Sequence, residues 1–341
     1  MKLSWMLMKA FRFAQFLVHY HLQSEKLPYP PAILFVETTA LCNLTCSCCA
    51  RSVRQSLKNG YMEMGLFSRL MEEAKAFRPI VTFHLGGEPL MSNNIFSMIE
   101  MAKQEGMFTT LSTNGTLINS ETGRKILESG LDQMRIDFSP NKEAFERVRR
   151  GAKWETVYEG IRDFAELKRR AGKRKPVVLI GYGTILSQGT HQASEFSTLS
   201  AILDGAADEI IKVDMHNWAG KFADMTHDKR PFSFPRHSSK YYPCDHLYTG
   251  LPVTWDGKVV ACCHDLNYEL VMGDANKDSL CEIWNNDRFT YLRRKLKLRE
   301  FENIKLCRNC SHLWTGRKPK DYLEIILNRT IRGLFMKLLS D

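Results

Sequence analysis

Residues 35–51 read FVETTALCNLTCSCCAR, an apolar run that turns into a loop carrying Cys42, Cys46, Cys48 and Cys49. The spacing of Cys42, Cys46 and Cys49 places three thiolates on one tight loop, where they can hold three corners of a cubane [4Fe–4S] cluster. The loop supplies no fourth ligand at the expected place, which leaves one iron open to a substrate or cofactor atom. An open iron separates a reactive cluster from one that only carries electrons, and it points to an enzyme. Spacing alone also allows a Cys42, Cys46, Cys48 set. Zinc is the competing reading, although structural zinc sites usually join one CxxC to a second pair. Disulfide frameworks belong mainly to short secreted chains, whereas ten clustered cysteines sit here in 341 residues.

Outward from this loop, apolar runs and amphipathic stretches alternate. Strands are predicted over 32–38, 80–85, 108–112, 133–138, 177–182 and 209–215. Helices are predicted over 64–76, 94–105, 120–129, 156–170 and 194–203. This alternation predicts an α/β fold with a parallel sheet and right-handed crossovers. Functional loops then leave the C-terminal ends of the strands, and the cysteine loop, following the first strand, falls on that side.

Forty-eight basic against thirty-eight acidic residues give a net charge of +10, with 44% hydrophobic and 25% charged residues. That describes a globular chain with a substantial core. Thiolates that bind clusters must stay reduced, which places the chain in a cytoplasmic setting. Every long apolar run is broken by charge well short of about 18 residues, so no segment is read as spanning a membrane. The ends are apolar but interspersed with charge: Trp5 to Val18 with Lys9 and Arg12, and Leu323 to Leu339 with Arg329, Arg332 and Lys337. They suit either amphipathic helices lying on the inner face of an anionic membrane or helices packed on the domain or a partner. The basic runs at 168–175 and 293–295 read as solvated faces, and no interleaved aromatic pattern argues for nucleic acid.

The cysteine triplet, with Glu37 and Thr38 before it and Asn43-Leu44 inside it, resembles the signature of radical S-adenosylmethionine (SAM) enzymes. The position before the last ligand is often aromatic in that family and here is Cys48. The resemblance implies a partial (β/α)6 TIM-like barrel and a [4Fe–4S] cluster whose fourth iron is chelated by the amine and carboxylate of SAM. It implies reductive cleavage of SAM to a 5′-deoxyadenosyl radical that abstracts a substrate hydrogen. By the same resemblance, Gly86-Gly87-Glu88-Pro89 meets the methionyl amine, and Thr113-Asn114-Gly115 lies near the ribose. Where the family shows Ser-x-Asp-Gly, this chain has Asp137-Phe138-Ser139-Pro140, which offers Ser139 with its polar neighbours interchanged. Arg149 or Arg150 could reach the SAM carboxylate through a guanidinium fork, and Arg150 is taken as the candidate.

Cysteines return beyond Pro231. Cys244, Cys262, Cys263 and Cys281 precede a CxxC pair, Cys307 and Cys310, and Asp256-Gly257 marks a hairpin turn. This pattern resembles the C-terminal SPASM/Twitch extension of radical SAM enzymes, in its one-cluster Twitch form of a β-hairpin plus helix. The resemblance implies that Cys244, Cys262, Cys307 and Cys310 hold a second, auxiliary [4Fe–4S] cluster. Cys263 and Cys281 are spares that could replace a member, and a zinc ribbon is the competing reading. The expected divisions are an N-terminal segment over 1–31, the barrel over 32–225, the auxiliary domain over 226–316 and a C-terminal helix over 317–341.

The resemblance implies oxidation of a carbinol in a sugar-like or cyclitol substrate. Modification of a ribosomal peptide, or of a lipid or lipid-linked glycan, is the enzymatic alternative. An iron–sulfur electron-transfer or scaffold protein with two closed clusters is the non-enzymatic one. An electron donor such as flavodoxin or ferredoxin is the expected partner. His84, Asp214, His216 and the Arg149/Arg150 pair are the candidate proton acceptors.

Overall fold

The computed structural model describes residues 2–53, 58–183, 192–213, 217–219, 221 and 241–314. Strands β1 (Ile33–Val36), β2 (Ile80–Phe83), β3 (Phe108–Thr113), β4 (Gln133–Asp137), β5 (Val177–Gly183) and β6 (Glu209–Val213) pair in sequence order, all parallel. The sheet stays open, as a partial barrel, and the predicted strands fall within a few residues of the observed ones. Side-chain alternation explains how one strand serves two surfaces. Leu34, Val36, Val81, Phe83, Met134 and Ile136 are buried in the core, while Phe35, Ser112, Arg135, Asp137 and Gly181 line an internal cavity.

Helices α2 (Met64–Ala74), α3 (Ile95–Gln104), α4 (Ser120–Glu128), α6 (Trp154–Arg170) and α7 (Gln192–Leu203) fill the crossovers. Helix α2 buries Phe67, Leu70, Met71 and Ala74, one apolar stripe at helical spacing. Each such large side chain contributes roughly 1.5–3 kcal/mol on burial. Helix α4 starts at Asn119, whose side-chain oxygen accepts from the N–H groups of Glu121 and Thr122. A further short helix, α5 (Lys142–Val148), follows β4 and was not expected from the pattern. Asn141 caps it by accepting from Ala144 N–H.

The region beyond residue 241 is joined to the barrel more closely than a separate domain would be. After the short helix α8 (His246–Thr249), β7 (Gly250–Val253) pairs in parallel with β1, Ile33 opposite Gly250. Strands β8 (Lys258–Val260) and β9 (Val271–Asp274) continue the same sheet antiparallel, turning at Asp256-Gly257 as predicted. Gly250 has to be glycine, because a Cβ there would lie 2.6 Å from the Phe35 ring. Helices α9 (Leu280–Trp284) and α10 (Asp287–Leu298) close the region.

One surface reading is narrowed and another changes. Helix α1 (Lys2–His21) buries Phe16 and Tyr20, and Tyr20 donates to Pro243 O while its ring packs on Tyr242 and Tyr248. Phe11 and Val18 remain exposed on it, as does Leu22 just beyond its end. Arg293, expected on a solvated face, is fully buried instead. Its guanidinium donates to the carbonyls of Leu247, Trp284 and Glu25 and lies 4.6 Å from the Trp284 ring centroid. The expected C-terminal helix over 317–341 lies outside the described residues. Among the described residues, no helix is long and apolar enough to cross a membrane.

Candidate active site

The cysteine loop is shaped from two sides. Thr45 N–H donates to Arg150 O at 3.0 Å and Ser47 N–H to Val148 O at 2.9 Å, so the end of α5 clamps the loop from below. From the barrel rim, Trp218 Nε1 donates to Cys48 O at 2.7 Å. Cys42, Cys46, Cys48 and Cys49 all line one cavity of about 480 Å3. Burial pushes the Cys46 thiol up to about 12; Arg149 acts in the opposite sense, and the adjacent Cys48, Cys49 and Cys42 add to the rise. Burial likewise raises Cys42 and Cys49. Loading metal onto such buried thiols must release their protons.

The loops after β2 and β3 meet this loop through backbone approach. A Cβ on Gly87 would lie 2.0 Å from Thr39 O and 2.6 Å from Leu41 O, so only glycine allows the contact. Glu88 is buried; its Oε1 accepts from Thr113 Oγ1 at 2.7 Å and Leu90 N at 3.1 Å, and its Oε2 from Asn114 N at 2.8 Å. Burial raises its pKa, against those three hydrogen bonds. Asn114 Nδ2 in turn donates to Asn43 Oδ1 at 2.9 Å and lies 3.9 Å from Cys42 Sγ. Gly86, Gly87, Glu88, Thr113 and Asn114 thus all stand in the cavity wall beside the thiols.

Two sequence candidates stand elsewhere. Ser139 is buried, its hydroxyl accepts from Asn141 N at 3.3 Å, and it is absent from the cavity lining. It shapes the turn into α5. Arg150 is exposed and outside the lining, because the turn after α5 directs Arg149 inward and leaves only the Arg150 carbonyl on the cysteine loop. Arg149 faces Asp137 at 3.4 Å, and Arg135 meets the same carboxylate at 2.7 Å. Burial opposes ionisation of Asp137, but Arg135 and Arg149 outweigh it and hold the carboxyl below its usual range. His84 also lines the cavity; burial and then Arg135 push it down to about 4, so it is neutral near pH 7. Asp214 and His216 lie outside the described residues.

Arg135 was not singled out in the sequence, and Asp137 was named there only as part of an interchanged run. The signal was there: two charges at alternate positions of a strand whose other residues, Met134 and Ile136, are fully buried.

The far wall of the cavity comes from the auxiliary region, through His246, Cys263 and His264. Behind it, Cys244 and Cys262 are raised well above the usual thiol range, by burial first and then by neighbouring cysteines that include Cys310. Cys307 is raised by burial and by Cys310. Cys281 is exposed on α9, where Arg12 and Glu73 are its charged neighbours, and takes no part. Tetrahedral zinc with bonds of about 2.3 Å needs sulfurs roughly 3.8 Å apart. Among the described residues, the only trios with ligand atoms within 4.8 Å of one another are Cys244/His246/His312 and His246/Cys262/His264. Neither the loop cysteines nor the auxiliary four form such a group, and both trios mix cysteine with histidine. All-thiol donor sets suit iron–sulfur clusters as well as zinc.

Comparison with known proteins agrees with this geometry. Residues 36–184 match the model of the radical SAM superfamily, and residues 244–311 match the SPASM iron–sulfur cluster-binding domain. An S-adenosyl-L-methionine-dependent 2-deoxy-scyllo-inosamine dehydrogenase from Niallia circulans is 24% identical over 286 residues, covering 83% of this chain and 93% of the relative. A crystal structure of BtrN with AdoMet and 2-DOIA superposes with a TM-score of 0.57 at 21% identity, covering 85% of this chain and 97% of BtrN. Streptococcus suis SuiB bound to its precursor peptide SuiA gives a TM-score of 0.61 at 16% identity, covering 84% and 71%. The structural likenesses describe the fold.

Proposed function

Since the chain belongs to the radical SAM superfamily and carries a SPASM cluster-binding domain, we propose that this radical SAM enzyme oxidises a carbinol of a sugar-like or cyclitol substrate. The observation that carries the reading is a single cavity walled by the cysteine loop on one side and by the auxiliary region on the other. When bound, SAM and the first [4Fe–4S] cluster supply a 5′-deoxyadenosyl radical, and the auxiliary cluster supplies a one-electron acceptor. The carbinol carbon gives up one hydrogen atom, which leaves as 5′-deoxyadenosine. Loss of one proton and one electron then completes the carbonyl.

In this reading Cys42, Cys46 and Cys49 hold the first cluster, and Cys244, Cys262, Cys307 and Cys310 the second. Gly86 to Glu88 with Thr113 and Asn114 border the SAM pocket. Arg149 takes the methionyl carboxylate in place of Arg150. Asp137, kept ionised by two guanidinium groups, accepts hydrogen bonds from substrate hydroxyls, which suits a polyol better than an apolar substrate. Neutral His84 takes the proton. A flavodoxin or ferredoxin delivers the reducing electron. The dehydrogenase relative supports the substrate class.

The test is anaerobic reconstitution with iron, sulfide, SAM and dithionite, using cyclitols deuterated at the carbinol carbon. The expected result is deuterium in 5′-deoxyadenosine with a matching yield of ketone. Absence of 5′-deoxyadenosine under every condition sinks the enzyme reading. Label transfer from a peptide carbon but from no cyclitol would replace the substrate class.

A further inference from the structure

Three of the four proposed auxiliary ligands are followed two residues later by histidine: Cys244-Asp245-His246, Cys262-Cys263-His264 and Cys310-Ser311-His312. The three segments are far apart in the chain, yet their imidazoles converge. The His246 centroid lies 4.9 Å from His264 and 4.5 Å from His312, and His264 lies 5.8 Å from His312. Ring nitrogens of His246 and His312 come within 4.8 Å of Cys244 Sγ, and those of His246 and His264 within 4.8 Å of Cys262 Sγ. Asp245 holds His312 at 2.5 Å, and His246 Nδ1 lies 3.5 Å from Cys263 Sγ. His246 and His264 also face the cavity, so they stand between it and the auxiliary sulfurs.

One histidine in such a place would be ordinary packing. Three, from three segments, gathered around two thiols of the same set, form a shell. We propose that His246 and His264, packed against the Asp245-bound His312, act as positioning residues for the auxiliary cluster, directing N–H groups at its sulfur side and raising its reduction potential. The inference rests on the cluster assignment proposed above. Donors aimed at sulfur stabilise the more negative reduced state, and such hydrogen bonds are among the main determinants of cluster potential. A raised potential makes this cluster the sink for the electron that the substrate radical loses on becoming a carbonyl, with the proton left to His84. A low potential would instead suit relaying electrons inward to the SAM site.

The test is potentiometric EPR titration of the reconstituted full chain, wild type against His246→Leu, His264→Leu and the His246→Leu/His264→Leu double variant. Wild type carries about eight irons, two cubanes. We expect the variants to keep them while the equilibrium constant for reducing the auxiliary cluster falls at least tenfold, or about 59 mV for one electron. His264→Gln, which retains an N–H donor, should recover more than half of the His264→Leu loss. A shift below threefold in an eight-iron double variant overturns the inference and leaves the cluster assignment standing. Loss of about four irons from His246→Leu makes that residue a ligand and overturns it too. A wild-type protein with only about four irons removes the auxiliary cluster, and with it both proposals.

Discussion

The two cysteine sites are built in opposite ways. The barrel site gathers Cys42, Cys46, Cys48 and Cys49 on one loop, whose backbone is held by the carbonyls of Val148 and Arg150 at the end of α5. The proposed auxiliary set draws Cys244, Cys262, Cys307 and Cys310 from three segments, brought together only when β7, β8 and the residues after α10 fold onto the barrel. The first opens onto the cavity, while the second lies behind a wall of His246, Cys263 and His264. A local site can present an unsaturated metal to a ligand, because its ligands all approach from one side. A site assembled from distant segments encloses what it binds. That contrast suits one site to chemistry and the other to electron storage.

The largest effect should come from emptying the open site. Cys46→Ala should lower 5′-deoxyadenosine formation by at least a thousandfold and halve the iron content, whereas Cys48→Ser should retain full iron. Burial pushes Cys48 up to about 11; Arg149 acts in the opposite sense, and Cys49 and Asp137 add to the rise. Iron loss in Cys48→Ser equal to that in Cys49→Ser would show that the ligand set had been misassigned. Cys262→Ala should also halve the iron and cut ketone formation at least a hundredfold, yet leave more SAM cleavage than Cys46→Ala does. Equal loss of SAM cleavage in both variants would mean that the two sites are not separable as described.

One side chain reaches both regions. Glu37, fully buried at the end of β1, accepts from Gly86 N at 3.2 Å on one oxygen and from Trp255 N at 3.2 Å and the Tyr268 hydroxyl on the other. It therefore ties the Gly-Gly loop to the auxiliary hairpin. Glu37→Gln puts an amide NH2 donor where one of these acceptor oxygens faces donors and should cost about 2 kcal/mol, read as a lower denaturation midpoint by tryptophan fluorescence. A loss under about 0.5 kcal/mol would show that the β1–β7 pairing alone joins the regions.

How much of this could be read from the sequence follows the same division between local and distant. The cysteine triplet, the alternating strands and helices, the Asp256-Gly257 turn and Gly86-Gly87-Glu88 are local patterns, and each falls where it was expected. Arg149 against Arg150 could not be decided, because the two differ only in how the turn after α5 rotates them. Ser139 was chosen for its place in a run, but turn chemistry claimed its hydroxyl. Burial of Arg293 depends on carbonyls from residues 25, 247 and 284, which no window of sequence brings together. The histidine shell has the same character: each Cys-x-His is visible, and their convergence is not.

The smallest expected effect concerns the end of the barrel away from the site, and it separates stability from function. Asp132, just before β4, is buried; its Oδ2 accepts from Thr109 N at 2.9 Å and Lys103 Nζ at 2.5 Å, and its Oδ1 from Lys175 Nζ at 2.5 Å. Burial opposes its ionisation, but the two lysines and the backbone donor prevail, so its folded pKa lies below the usual value. A depressed carboxyl pKa contributes stability above the unfolded value of about 3.9, and that contribution disappears as pH falls through the folded pKa. Asp132→Asn should therefore cost about 1–2 kcal/mol at pH 7, a modest figure because Lys175 is largely exposed and screened. Urea midpoints of the variant and wild type should converge below pH 3, while iron content and 5′-deoxyadenosine formation stay at wild-type levels at pH 7. Loss of iron in this variant would mean that the base of the barrel and its open cysteine loop are mechanically coupled, and the local character of that site would have to be given up.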